Sequence, residues 1–189
     1  MKKILSLLIL GLIVTNLFAQ EQPKSTNFSE EKNVFKVNAL SLLIGTGSIF
    51  YERKLNDMFS AQMGAAYLSY TFGDTKFTGL ILTPEVKLYV KKNAIDGFYL
   101  APYLRYQRFN LTVENEGMPN DEATYNNFGG GLSIGRQWIF NSGFTLDFFF
   151  GGHYGSGKVS GNNSSGEDFE TERFEGFRPR VGLALGFAF

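Results

Sequence analysis

Alternation of apolar with polar or small side chains, at a period of two residues, is the dominant pattern of this chain. It is clearest over Leu80 to Val90, where every second residue is apolar and Glu85 and Lys87 lie between them. Because successive side chains of a β-strand point to opposite faces, such a segment has one apolar and one polar face. Strands of this kind form soluble sandwiches or lipid-facing barrels, so the pattern predicts an all-β protein.

Eight segments follow the pattern, although Val34–Ile44 does so ambiguously. They are Val34–Ile44, Gly47–Leu55, Met58–Tyr70, Leu80–Val90, Phe98–Gln107, Thr124–Phe140, Phe144–Phe150 and Arg180–Phe189. Several have about the 9–11 residues with which a tilted strand crosses a bilayer. After residue 32, no apolar run approaches the roughly 18 residues that indicate a membrane helix. The 20 Phe, nine Tyr and 22 Gly also suit strands and tight turns better than helices.

The lengths of the connections favour the barrel over the sandwich. Outer-membrane barrels alternate short periplasmic turns with longer external loops. The second, fourth and sixth connections are short and the fifth and seventh are long and polar, whereas the first and third are also short. The three short turns centre on Asn56–Asp57, Lys91–Gly97 and Asn141–Gly143, and the two long loops on Glu114–Asn126 and Gly155–Gly176. The first and third connections centre on Gly45–Gly47 and Gly73–Lys76. Residues 33–189 are therefore predicted to form an eight-stranded antiparallel transmembrane β-barrel with up-and-down topology.

The first 32 residues differ from the rest of the chain. Lys2 and Lys3 precede the apolar stretch Ile4–Ala19, which predicts a signal peptide over residues 1–19 with cleavage after Ala19. The alternative is an uncleaved anchor, but the stretch is shorter than the roughly 20 residues that a spanning helix requires. Residues 20–32 are polar and are predicted to form a flexible periplasmic leader.

Composition excludes several classes of function. Loss of Lys2 and Lys3 leaves 16 basic against 18 acidic residues, a balance without the basic patch that nucleic-acid binding requires. There is no cysteine, which excludes disulfides, thiolate metal sites and a lipoprotein anchor. We expect neither a cofactor nor a metal site.

Alternation directs six charged side chains into the predicted lumen. They are Glu52, Glu85, Lys87, Arg105, Asp147 and Arg180. The interior of an eight-stranded barrel is only wide enough for its own side chains, so these three acids and three bases should pair. With Tyr89, Tyr99 and Tyr103 filling the remaining space, the sequence predicts a plugged lumen.

Three residues do not fit this pattern well. Pro84 and Pro102 each remove a hydrogen-bond donor from a strand, and we expect them at a bulge or a strand edge. Arg136 falls on the apolar face of its strand, where its guanidinium is expected to reach the periplasmic interface.

The terminal segment Arg180-Val-Gly-Leu-Ala-Leu-Gly-Phe-Ala-Phe189 resembles the C-terminal β-signal of outer-membrane proteins. The matching positions are Gly182, Leu185, Phe187 and Phe189. The mature chain is similar to small eight-stranded barrels of the OmpA/OmpX type and to uncharacterised outer-membrane barrel proteins. The resemblance implies a Gram-negative outer-membrane location and implies the barrel assembly machinery and outer-membrane lipid as partners, but it brings no active site.

The single histidine, His153, invites comparison with lipid A deacylases, which this chain resembles in size and which use a His/Ser/Glu set. In that pattern His and Ser lie two residues apart, whereas Ser156 follows His153 by three. This spacing puts the two side chains on opposite faces of a strand, and the alternation that continues from Asp147 points His153 into the lumen. We therefore expect no enzyme activity.

Two acidic loops are the other candidate surface. Their acids are Glu114, Glu116, Asp121 and Glu122 in one loop, and Glu167, Asp168, Glu170, Glu172 and Glu175 in the other. They form either a solvated surface or an adhesive surface that binds cations or another extracellular ligand. The leading interpretation of the whole chain is a structural or cell-surface interaction role. Transport of a small apolar molecule through or along the barrel comes second, and a lipid-modifying enzyme third.

Overall fold

The structure, a computed structural model, describes residues 31–43, 45–72, 75–91, 93–113, 121–162 and 173–189. These residues form β1 (Asn33–Asn38), α1 (Ala39–Leu42), β2 (Thr46–Lys54), β3 (Phe59–Phe72), β4 (Thr75–Tyr89), β5 (Gly97–Val113), β6 (Asp121–Ile139), β7 (Phe144–Asn162) and β8 (Arg173–Ala188). The predicted signal peptide and nearly all of the predicted leader lie outside the described residues. Over the described ranges there is no helix with the length and apolarity of a membrane span.

The strands form a closed barrel in which each pairs antiparallel with its neighbours along the chain. β1 also pairs with β8, so that Val37 lies opposite Ile49 on one side and Leu185 on the other. The predicted eight-stranded up-and-down barrel is therefore confirmed. We call the end with residue 33, residue 188 and the turns at 55–58, 90–96 and 140–143 the terminal end, and the opposite end the loop end.

The two faces of the barrel wall have opposite chemistry. In β4 the side chains of Thr83, Glu85 and Lys87 are buried in the lumen, whereas Leu82 and Val86 are exposed on the outside. Large apolar side chains are exposed on the outer face of all eight strands. A closed barrel satisfies its backbone hydrogen bonds internally, so this outer surface suits the hydrocarbon of a bilayer.

Several strands are longer than the sequence predicts. β7 continues to Asn162 and β8 begins at Arg173, so the prediction of a loop over residues 155–176 is wrong for most of its length; β6 likewise begins inside the predicted fifth loop. Glycines that suggest a turn in the sequence face the lumen here. A Cβ added to Gly155 would lie 2.7 Å from Asn127 Oδ1, so this glycine makes room for a neighbouring side chain.

β1 is shorter than predicted, because the chain turns into α1 after Asn38. Asn38 Oδ1 accepts hydrogen bonds from the backbone N–H groups of Leu40 and Leu183, both at 3.2 Å. Ser41 Oγ donates to the carbonyl of Asn38 at 2.8 Å. Asn38 therefore caps the helix and ties it to β8.

Pro84 and Pro102 lie within strands that pair directly, at neither a bulge nor an edge, so this expectation is wrong. One register holds on both sides of the prolines, with the partners Leu82↔Tyr106, Glu85↔Tyr103 and Leu88↔Leu100. Pairing between these positions is interrupted because proline has no N–H to donate. The cost is a local weakening of the β4–β5 seam.

Candidate functional site in the barrel lumen

Four buried charges meet near the terminal end and form what we call the four-charge cluster: Lys36, Glu52, Lys87 and Asp147. Lys36 Nζ lies 2.7 Å from Glu52 Oε2 and 2.7 Å from Asp147 Oδ2. Lys87 Nζ lies 3.0 and 2.9 Å from the same two oxygens. Each lysine therefore bridges both carboxylates, and the cluster is neutral although its members are at most 1% exposed.

The second oxygen of each carboxylate is also occupied. Glu52 Oε1 accepts hydrogen bonds from Tyr89 OH and Ser60 Oγ, each at 2.6 Å. Asp147 Oδ1 accepts one from Tyr99 OH at 2.7 Å. Full satisfaction of this kind is what makes a buried ionic group tolerable in a low-dielectric interior.

A turn closes the lumen below the cluster. Gln137 Oε1 accepts hydrogen bonds from Lys36 and from Lys87, and its Nε2 donates to the carbonyl of Ile95 at 2.8 Å. Ala94 and Ile95, in the β4–β5 turn, are only 3% exposed. Ile95 has a φ of 73°, which costs a β-branched residue about 1–3 kcal/mol. The turn is therefore held in place by the cluster against local strain.

A separate ion pair lies on the loop side of the cluster. Arg180 donates from Nη1 to Glu85 Oε2, and Gln62 Nε2 donates to Glu85 Oε1 at 3.4 Å. The Arg180 guanidinium also lies over the rings of Tyr103 and Phe149, 4.4 and 4.7 Å from their centroids. Arg180 is thus fixed on three sides.

Arg105 does not join either group, contrary to the prediction that all six charges pair. Its guanidinium forms neither a hydrogen bond nor an ion pair with any residue that the structure describes, and its Nε is buried. Arg178 donates to Tyr125 OH at 2.6 Å and to Gln107 Oε1 at 3.5 Å. We call Arg105, Arg178 and Arg180 the arginine group.

His153 lies beside the arginine group. It is opposite Arg178 in the β7–β8 register, and all three arginines act on it electrostatically. The side chain is 3% exposed, and neither ring nitrogen has a hydrogen-bond partner in the described part of the chain. Ser156 projects to the opposite face and donates to Glu175 Oε1 at 3.3 Å, so the two residues form no nucleophile and base pair.

A cavity of about 300 Å³ borders the arginine group. Arg105 and Arg180 line it together with polar side chains of β1, α1, β2 and β4 and with a few apolar rings. The polar members are Asn38, Ser41, Thr46, Ser48 and Thr83. Within the described ranges, no group of three or more His, Cys, Asp or Glu residues is placed to hold a metal ion.

Sequence reasoning missed Lys36, although a signal was present. Lys36 is the only charged residue of β1, and the alternation of Val34, Lys36 and Asn38 points all three inward. The segment was ambiguous because the helix that follows disturbs its period. Gln137 and Ser60 carry no charge and gave no comparable signal.

The predicted assembly signal lies on β8 and just after it. Leu185 and Phe187 are exposed on the outer face, whereas Gly182 faces the lumen, where an added Cβ would lie 2.2 Å from Phe149 Cζ. Phe189 exchanges backbone hydrogen bonds with Asn33, each 2.9 Å long. Its role in assembly remains a prediction.

Arg136 does lie on the outer face, where its guanidinium is 4.6 Å from the Phe98 ring centroid and 4.9 Å from that of Trp138. Of the acidic loop residues, Glu175 is exposed on β8, and Asp121 and Glu122 begin β6. The others lie outside the described residues: Glu114, Glu116, Glu167, Asp168, Glu170 and Glu172.

Comparison with known proteins agrees with this architecture. The family model described as "Protein of unknown function (DUF3575)" matches residues 7–161. The chain belongs to this family. The fold of this DUF3575 protein is similar to that of a major outer membrane protein from Thermus thermophilus, with a TM-score of 0.57 and 13% identity over 85% of this chain and 100% of that one.

CarO2 of Acinetobacter baumannii gives a TM-score of 0.46 at 11% identity, over 84% of this chain and 98% of that one. A search of curated protein sequences found no match. The closed eight-stranded barrel and its apolar outer face make this DUF3575 protein a small bacterial outer-membrane β-barrel.

Proposed function

We propose that this protein is a closed, non-conducting barrel with a structural or cell-surface interaction role in the outer membrane. The four-charge cluster is the observation that carries the proposal. Its two lysines and two carboxylates neutralise one another, so this part of the lumen has no net charge to attract an ion. Tyr89 and Tyr99 donate hydrogen bonds to its carboxylates, and Gln137 links it to the carbonyl of Ile95 in the β4–β5 turn.

A planar-bilayer measurement tests this function. The purified mature barrel should give no steady ionic current, because ions would have to displace buried, mutually paired charges. The double variant Lys36→Ala/Asp147→Ala leaves the cluster without net charge but removes part of the plug, so it should conduct. Its current would also show that the assay detects inserted barrels. Stable single-channel conductance by the wild type would contradict the proposal and favour transport.

The interaction role requires the loop end to face the outside of the cell. This orientation is expected, because the three short turns at the terminal end match the periplasmic turns of outer-membrane barrels. Outer-membrane lipid and the barrel assembly machinery are the proposed partners, with an extracellular ligand at the acidic loops. Replacing residues 163–172 by a short Gly/Ser linker should abolish a surface phenotype, such as adhesion, without loss of assembled barrel. A phenotype that persists in cells with assembled barrel would contradict the interaction role.

Transport of a small apolar molecule along the barrel is the second candidate. An apolar groove lies where Pro84 and Pro102 interrupt the β4–β5 seam, and Met63, Val86 and Leu104 line its outer side. An alkyl photoprobe should label this groove more strongly than the uninterrupted outer face of β7 and β8. Equal labelling of the two faces would contradict a specific apolar site.

A further inference from the structure

The loop half of the lumen carries an excess of positive charge that the residues described by the structure do not balance. Its described lumen-facing charges are the arginine group and Glu85, and Glu85 is held by Arg180. The described residues therefore give this half a net charge close to +2. Burying cations without partners is unfavourable, and a bound anion would offset that cost.

We propose that this half of the lumen binds the phosphate group of a small water-soluble molecule, with Arg105 as the principal ligand. A phosphate monoester carries about −1.5 to −2 charge at neutral pH, which matches the excess, whereas a carboxylate carries half of it. The guanidinium fork suits phosphate oxygens geometrically, because it presents paired N–H donors. Arg105 has this fork available, since none of the described residues engages it.

His153 is a second and independent indication of a ligand. It is buried to 3% exposure, yet both ring nitrogens lack a hydrogen-bond partner in the described part of the barrel. Buried polar groups in proteins are nearly always hydrogen-bonded, so an unsatisfied imidazole beside three arginines calls for a partner. A phosphate oxygen would accept a hydrogen bond from the ring nitrogen that carries a hydrogen.

The cavity beside Arg105 and Arg180 gives the rest of such a molecule a place. Its volume of about 300 Å³ lies at the lower end of small-ligand pockets, and Ser48 and Thr83 line it with hydroxyl groups. The four-charge cluster closes the lumen on the terminal side of this cavity. A phosphate bound here would therefore lie between the cluster and the loop end, and its binding does not require a partner at the outer loops.

Three glycines follow Arg105 around the barrel wall. Gly129 is the cross-strand partner of Arg105, and the next two strands present Gly155 and Gly176 at the same level. An added Cβ at Gly176 would meet no atom within 4 Å. At these three positions no side chain competes with a phosphate for the guanidinium, although Asn127 fills the space beside Gly155.

The single histidine provides a site-specific probe. The mature barrel is ¹⁵N-labelled at histidine, purified without a histidine tag and held in detergent micelles. The NMR signals of the His153 ring are then followed while phosphate replaces chloride at constant pH and ionic strength. We expect a saturable shift. Arg105→Gln should weaken the apparent affinity at least tenfold, whereas Arg108→Gln, on the exposed outer face of the same strand, should leave it unchanged.

Three results would overturn the proposal. These are a shift that grows without saturation, equal affinity of the Arg105→Gln and Arg108→Gln variants, and equal affinity of the wild type for acetate and phosphate. Phosphatidic acid in mixed micelles tests whether the phosphate group belongs to a lipid. Its acyl chains cannot enter the lumen, so we expect no saturable shift of the His153 signals with this lipid. A saturable shift with phosphatidic acid but not with inorganic phosphate would also contradict the proposal of a soluble ligand.

Discussion

Replacing Asp147 by leucine tests how much the four-charge cluster contributes to stability. The change removes salt bridges of 2.7 and 2.9 Å to Lys36 and Lys87 and leaves the two lysines sharing one carboxylate, Glu52. Breaking a buried ion pair costs about 3–5 kcal/mol, because a charge is left uncompensated. Tyr99 OH also loses its acceptor, which adds about 1–3 kcal/mol. We expect a loss of about 5 kcal/mol.

A second substitution separates charge balance from packing. In Lys36→Met/Asp147→Leu the remaining Lys87 and Glu52 still pair at 3.0 Å, so the cluster is again neutral. The double variant should lose less than about 2 kcal/mol, chiefly from the Tyr99 hydroxyl. The double variant should therefore be about 3 kcal/mol more stable than Asp147→Leu, although it carries one more substitution.

Urea unfolding in lipid vesicles provides the assay, followed by the fluorescence of Trp138, the only tryptophan of the chain. Arg105→Ala serves as the matched control, since Arg105 has no partner in the described barrel and its loss should change the free energy of unfolding by less than about 1 kcal/mol. A loss below about 1 kcal/mol for Asp147→Leu, or a double variant that loses the sum of both single effects, would refute the reasoning.

Three further predictions concern the wall and the ends of the barrel. Gly182→Ala should destabilise the barrel by about 1–3 kcal/mol in urea unfolding, because its Cβ would lie 2.2 Å from Phe149 Cζ, while Gly176→Ala, with open space around it, should cost less than about 1 kcal/mol. Deletion of Phe189 should lower the fraction of assembled barrel in membrane extracts, since the pairing with Asn33 is lost along with the terminal signal; unchanged assembly would show the signal to be incidental. Neutralising the four loop acids Glu167, Asp168, Glu170 and Glu172 should leave the heat-dependent gel mobility unchanged, because external loops have few packing contacts. A marked loss of heat resistance would show that these acids are structural.

The wall of the barrel could be predicted from the sequence because its two faces meet different solvents. Lipid on one side and a confined lumen on the other impose a period of two, which reads clearly in β4. Strand ends were harder, because a glycine has no side chain to reveal its face. Gly155 and Gly157 suggested a loop, although both lie in β7, where they make room for Asn127 and Tyr125.

The lumen was predicted only in part for a different reason. Alternation tells which residues face inward but not at which height, because strand tilt and register decide which charges meet. It therefore placed Glu52, Lys87 and Asp147 in the lumen without showing that Lys36 joins them. It also gave no sign that Arg105 lies apart from every carboxylate that the structure describes, since that depends on the side-chain geometry.

The four-charge cluster and its immediate partners draw on every strand of the barrel, which has a consequence for the order of assembly. Lys36, Glu52, Ser60, Lys87, Tyr99, Gln137 and Asp147 come from β1 to β7 in turn, and Gly186 of β8 leaves the space that Lys36 occupies. In a sheet that is still open, these groups face water and lack most of their mutual contacts. Closure removes that water in one step, and a strand displaced by two residues would bring the wrong partners together. We therefore expect the last pair of strands to close stably only when all the strands are in the correct register, because the buried charges pair only in that register.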